Sequence, residues 1–194
     1  MGVFTALLDT NVLWPSLLRD FLLSLAVEGL YRPVWSEAIL EELEDCEVTK
    51  LSRRGVERSE ARARAVQLIE QMRTHFDDAL VTGWEGLDGT YGLPDPDDEH
   101  VLAAAVLGGA GVIVTWNTKD FPDASLPVGM RALLPPTFLY DTVSLDPRRA
   151  VRAVEEIAAR SGVHGPQRTR DQLLEALAAR YGLDDVVACL RDVE

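Results

Sequence analysis

The sequence predicts an α/β fold: a parallel five-stranded sheet flanked by helices, followed by a small helical extension. Three observations carry this. Short apolar runs alternate with segments of helical periodicity, the pattern of strands joined by crossover helices. The first run, Val3 to Leu8, stops at an acid, Asp9, as a buried parallel strand does where it reaches the sheet edge. After Leu134 no strand pattern returns and amphipathic helices take over.

Each element has its own reason. Pro15 stands where a first helical turn begins, and Leu17, Leu18, Phe21, Leu22 and Leu25 follow at helical spacing until Gly29. Tyr31 to Trp35 reads as a second strand. Ser36 is an N-cap residue for a helix that buries Ile39, Leu40 and Leu43. A long arginine-rich helix runs from about Gly55 to Phe76, with Ala61, Ala65, Leu68, Ile69 and Met72 on one face. Ala79 to Trp84 suggests a third strand, and Gly86 to Asp97 a loop. Asp98 opens a small-residue helix that closes at Gly108-Gly109. Val112 to Thr115 and Met130 to Leu134 complete the sheet.

In the extension, Asp146-Pro147 starts a helix with Ala150, Val151, Val154 and Ile157 on its apolar face. Residues 161–166 are a break. Thr169 caps a second helix that Gly182 stops, and Leu183 to Val193 forms a third. These helices are too small for a core of their own, so they must pack on the main domain or on a partner. The expected division is a main domain over 1–140 and an extension over 141–194.

Composition narrows the function classes. No stretch is apolar and long enough to span a membrane. The first residues lack a basic stretch, so they do not read as a signal peptide, and Met1-Gly2 lacks the Ser or Thr at position 6 that myristoylation favours. Two cysteines, Cys46 and Cys189, make no disulfide framework, which suits a reducing cytoplasm. His75, His100 and His164 lack zinc-ligand spacing. The net charge of −13 is unevenly spread. Residues 1–51 hold 3 basic and 9 acidic residues, and residues 76–146 hold 2 and 12. Between them, residues 52–75 hold 6 arginines against 3 glutamates. The acid excess therefore coincides with the strand-end motifs, while an arginine-rich helix beside them offers a surface for a phosphate backbone.

Four acidic signatures recur at predicted strand ends or on adjoining helices. They are Asp9-Thr10-Asn11; Glu41-Glu42-Leu43; Asp95-Pro96-Asp97-Asp98 before Val101 to Ala105; and Thr115-Trp116-Asn117 with Asp120-Phe121 behind it. In each, one acid is the stronger candidate: Asp9, Glu42 (with Glu41 behind it), Asp98 and Asp120. Asp95, Asp97 and Asp98 also suit a helix N-terminus, but one cap does not need three acids. Clustered carboxylates repel one another and are commonly held ionised by a divalent cation. Other chemistries fit poorly. Gly109-Ala110-Gly111 precedes a strand where a dinucleotide loop would follow one. Asn11 stands where a phosphatase nucleophile strand needs a second acid, and no Ser/His/Asp or Cys/His set is arranged for nucleophilic attack.

Taken together, Asp9-Thr10-Asn11, Glu42-Leu43, Asp98 with Val101, Ala103 and Ala105, and Thr115, Asn117 and Asp120-Phe121 resemble the four motifs of the PIN domain, the fold of VapC-type toxin ribonucleases. The resemblance covers roughly residues 3–140. It implies a Rossmann-like sheet, a site for Mg²⁺ or Mn²⁺, and endonuclease cleavage of RNA. It also implies homodimerisation and neutralisation by a small cognate antitoxin protein, and the last helices resemble an extension found in one subgroup. On this view Asp9 and Asp98 hold the metal, with Glu42 and Asp120 completing the catalytic cluster. Asn11, Thr115, Asn117, Arg53 and Arg54 contact the RNA substrate. Asn117 stands where many members carry Asp, so the fourth acid is Asp120 or is absent. The alternative is a catalytically inactive PIN-like module that binds RNA or protein.

Overall fold

Five parallel strands form one sheet in the order β3-β2-β1-β4-β5, in a computed structural model that describes residues 3–162 and 166–193. The strands are β1 (Thr5–Leu8), β2 (Arg32–Ser36), β3 (Leu80–Val81), β4 (Val112–Val114) and β5 (Arg131–Leu133). Leu7 pairs with Val34 on one side and Ile113 on the other, and Val114 pairs with Leu133. The central strands are buried on both faces, so Ala6, Leu7, Leu8, Val34, Trp35, Ile113 and Val114 are all apolar and fully covered. Met1, Gly2 and His164 lie outside the described residues, as does part of the expected break over 161–166.

The helices are α1 (Thr10–Leu13), α2 (Ser16–Val27), α3 (Glu37–Arg53), α4 (Arg58–His75), α5 (Glu99–Leu107), α6 (Pro135–Leu145), α7 (Pro147–Arg160), α8 (Arg170–Tyr181) and α9 (Asp184–Arg191). Ser36 caps α3 as its sequence position predicts, its Oγ accepting from the Ile39 N–H at 3.2 Å. Thr169 caps α8 in a reciprocal capping box with Gln172, and Gly182 ends that helix at φ +65°. Gly108, at the end of α5, allows a close approach to the sheet. A Cβ there would lie 2.8 Å from Val81 Cγ2 and 3.0 Å from the Ala104 carbonyl.

The structure differs from the expected elements in three places. The third strand shrinks from 79–84 to Leu80–Val81, because Gly83 turns left-handed (φ +79°) into a 3-10 turn over Trp84–Gly86. A short helix, α1, follows Asp9 directly. A further helix, α6, occupies 135–145, opening on a Pro pair at its first turn.

The extension packs on the main domain. The expected apolar face of α7 is buried through Ala150, Val154 and Ile157, joined by Ala153, against α2. Polar contacts rim that seam. Arg152 meets Glu28 at 2.9 Å, and Arg160 reaches Asp20 at 2.5 Å and Ser24 at 2.7 Å. From α6, Phe138 stands edge-on to Tyr31 at 5.0 Å between centroids and to Phe4 at 6.1 Å. The cores of the two parts are thus continuous. Among the described residues no helix is long and apolar enough to cross a membrane, and Cys46 and Cys189 are free thiols.

Candidate active site at the carboxyl edge of the sheet

In parallel α/β sheets ligands bind beyond the carboxyl ends of the strands, where the connections diverge. Here β1 and β4 are the neighbouring central strands, and they deliver Asp9 and Thr115 to that edge. Asp9 occupies the residue before α1 in an extended conformation, yet its side chain caps nothing. Its carboxylate instead accepts from Asn11 Nδ2 at 2.6 Å and Thr115 Oγ1 at 2.7 Å. Asn11 Nδ2 also meets Thr115 Oγ1 at 2.9 Å, and Asn11 Oδ1 accepts from the Trp116 N–H at 3.0 Å. The network locks the ends of β1 and β4 together around one carboxylate.

Asp9 is only 5% exposed. Burial raises its pKa and the charge of Glu42 adds to the rise. The Thr115 hydroxyl and the Thr10 N–H pull the other way without prevailing. Asp98 stands just before α5 and, like Asp9, makes no cap bond. The capping expected of this acidic run falls to Asp95, which accepts from the Asp97 N–H at 3.0 Å. Partial burial, then the charges of Asp9, Asp120 and Asp95, push the Asp98 carboxyl up to about 6. Asp9, Asp120 and Asp95 thus each oppose the charge of Asp98. Asp120 lies in a 3-10 turn after β4, where the Asn117 amide donates to it.

Glu42 approaches from α3. It is half-exposed, at the mouth of the site. Its Oε2 accepts from Thr10 Oγ1 at 2.5 Å, and its Oε1 lies 3.1 Å from His100 Nε2. Partial burial opposes its charge, but these two contacts outweigh it and hold the carboxyl below its ordinary range. Glu41 is exposed.

His100 and Thr10 are the residues that the motif reading overlooked. A signal existed: His100 follows Asp98 by two residues on the same first turn, and Thr10 adjoins Asp9. Although burial disfavours its charge, the His100 imidazole is raised by its hydrogen bond with Glu42 and by the charges of Glu42, Asp9 and Asp88. Glu99, between the two motif residues, is buried but structural; it accepts from the Tyr91 and Leu93 N–H groups at 2.9 and 2.7 Å.

Arg53 and Arg54 are exposed at the far end of α3. At 1.5 Å rise per residue they lie about 16 Å along the helix from Glu42, outside the carboxylate cluster. On α4, Arg62, Arg64 and Arg73 are engaged with Glu44, Glu60, and Glu37 with Glu70.

The donor chemistry of the edge suits a hard divalent cation: carboxylate oxygens, with Asp9 and Asp98 made resistant to ionisation by burial and by neighbouring negative charge. Among the described residues, no three His, Cys, Asp or Glu side chains already stand as a ligand cluster.

Residues 5–119 match the PIN domain, more than half of the chain. The chain belongs to the PIN-domain family. Asp9, Glu42, Asp98, Thr115 and Asn117 lie within that match, and Asp120 lies one residue beyond it. Residues 135–192 match the VapC50 C-terminal domain, so this PIN-domain protein carries a VapC50-type extension that begins with α6. It is similar to a curated relative from Mycobacterium tuberculosis named as the candidate ribonuclease VapC50. The two are 55% identical over 49 residues, which is 25% of this chain and 29% of the relative. No solved structure matches the chain.

Proposed function

We propose that this PIN-domain protein is a metal-dependent endoribonuclease, the toxin of a type II toxin–antitoxin pair. The observation that carries the proposal is the buried Asp9 carboxylate at the carboxyl edge of the sheet, held by Asn11 and Thr115, with Glu42 of α3 bonded to the adjoining Thr10. Asp9 and Asp98 would hold Mg²⁺ or Mn²⁺; magnesium is commonly bound through one or two carboxylates with water filling the remaining positions, so a pair suffices. A bound divalent cation supplies Lewis acidity and offsets charge on the phosphate.

The chain's own residues do the rest. Asn11 and Thr115 fix the Asp9 carboxylate against the sheet edge. Glu42, kept ionised, and Asp120, steadied by Asn117, accept hydrogen bonds from the attacking water and orient it toward phosphorus. Asn11, Thr115 and Asn117 meet the substrate as the rim that holds these acids. Arg53 and Arg54 grip the RNA backbone away from the cut, which predicts an affinity that falls with salt. The reading includes a cytoplasmic homodimer neutralised by a small antitoxin. It also includes a nuclease domain over 1–140 with an extension over 141–194, α6 crossing the junction.

A second reading, a catalytically inactive module that binds RNA or protein, draws support from Asn117 and from the lack of a ready-made ligand trio among the described residues. One experiment separates the two: cleavage of total RNA by purified protein with Mg²⁺, Mn²⁺ or EDTA, beside Asp9→Ala and Asp98→Ala. The nuclease reading expects discrete fragments that vanish with EDTA and in both variants. RNA binding without cleavage, indifferent to EDTA, would replace it with the binding module.

A further inference from the structure

His100 is a nearly buried ring, its side chain 13% exposed, on the first turn of α5. One face leans on Trp84, with centroids 5.8 Å apart and planes tilted by 55°. Its Nδ1 is buried and, among the described residues, meets no hydrogen-bond partner. Its remaining polar atom, Nε2, points at Glu42 Oε1 at 3.1 Å. A ring needed only to pack on Trp84 would do better as an apolar aromatic, because the orphaned Nδ1 costs free energy in that environment. The imidazole makes sense for what Nε2 does.

Glu42 needs such a partner. It is a long side chain at the solvent-exposed mouth, and freezing its rotamers is entropically unfavourable. Thr10 Oγ1, anchored beside Asp9, takes Oε2 at 2.5 Å, and His100, anchored beside Asp98, takes Oε1. Each oxygen is thus held by a residue one or two positions after one of the two central acids.

We infer that His100 is a positioning residue: with Thr10 it clamps both oxygens of Glu42 and sets that carboxylate's direction relative to Asp9 and Asp98. His100 itself does not touch the reacting atoms. The catalytic consequence rests on the nuclease reading above; the clamp itself does not.

The test uses His100→Ala, His100→Gln, Glu42→Gln and the double variant His100→Ala/Glu42→Gln in the full chain. Supporting residues around a catalytic group commonly contribute 10- to 100-fold to activity. His100→Ala should therefore lower kcat by about 10- to 100-fold with KM for RNA unchanged; loss of the buried ring also lowers the thermal midpoint, so kcat is compared well below it. His100→Gln, which keeps a donor, should restore part of the loss. In the Glu42→Gln background, His100→Ala should cost nothing more, because its effect runs through Glu42. Side-chain NMR relaxation of the metal-free protein supplies a readout without activity: the Glu42 order parameter should drop in His100→Ala while neighbouring α3 side chains keep theirs. An equal loss of kcat in both backgrounds, or an unchanged Glu42 order parameter, would overturn the clamp. A wild-type protein that cleaves no RNA overturns the nuclease reading, and the relaxation result still decides the clamp.

Discussion

Replacing Asp98 with Asn should stabilise the metal-free protein while destroying its function. The Asp98 carboxyl is pushed from an ordinary 3.8 up to about 6 by partial burial and by Asp9, Asp120 and Asp95. Between those values the folded chain keeps a proton that the unfolded chain has released, so stability falls as pH rises through that window and stays low above it. At 1.36 kcal/mol per pH unit the penalty reaches about 3 kcal/mol. Asp98 is partly exposed, and solvent screening reduces this to about 1–2 kcal/mol. A chain of this size gains about 2–4 °C per kcal/mol, so Asp98→Asn should melt about 2–8 °C higher than wild type at pH 7.5 in EDTA. The difference should narrow at pH 4.5, where the folded wild type is protonated at this position. Mn²⁺ should reverse the order: ligand binding raises the wild-type midpoint, by about 2.7 kcal/mol at a hundredfold excess over Kd, and the variant should gain little. Thermal melts at the two pH values, with EDTA and with Mn²⁺, read all of this. An Asp98→Asn protein that melts below wild type at pH 7.5 in EDTA, or by the same margin at both pH values, would refute the account of a frustrated carboxylate.

Two further outcomes test the frame around the site. Phe138→Ala should destabilise the whole protein by about 3–5 kcal/mol in urea unfolding. The ring is buried edge-on against the stacked Phe4 and Tyr31, so a loss below about 1 kcal/mol would show that α6 is peripheral. Glu47→Gln should cost about 3 kcal/mol, since Glu47 is buried between Arg19 at 2.8 Å and Lys50 at 2.5 Å and its loss leaves two cations without a counter-charge; a neutral result would mean that water already compensates them.

The two central strands were legible because each is an apolar run that ends where the chain turns polar, as in Leu7-Leu8-Asp9 and Ile113-Val114-Thr115. The helix caps at Ser36 and Thr169 were legible because a cap is a local transaction between a side chain and an N–H three residues on. What escaped was set by partners distant in sequence. Helix α6 has two prolines and a mixed face, and its place is set by distant partners: Phe138 against Phe4 and Tyr31, and its other buried side chains against α7 and α9. Asn11 stood out as part of the first motif, but its ties to Thr115, 104 residues away, and to Trp116 depend on the fold bringing β1 beside β4. His100 looked like a scattered histidine until α5 was laid beside α3, because its meaning lies in Glu42.

The extension bears on the site through α2. One side of α2 buries α7, with Arg152 and Arg160 at the seam. From the same helix, Arg19 reaches the Leu13 carbonyl at 2.7 Å, closing α1, and meets Glu47 of α3 at 2.8 Å. Helix α1 begins immediately after Asp9, and α3 carries Glu42 five residues before Glu47. A carboxylate cluster whose members repel one another tends to relax by moving its backbone apart, and the elements most free to move are the short ones. Here the four-residue α1 and the α3 segment behind Glu42 are tied by one arginine to a helix whose other face is covered by the extension. By this route α7 is linked, through α2 and Arg19, to the segments that begin after Asp9 and carry Glu42.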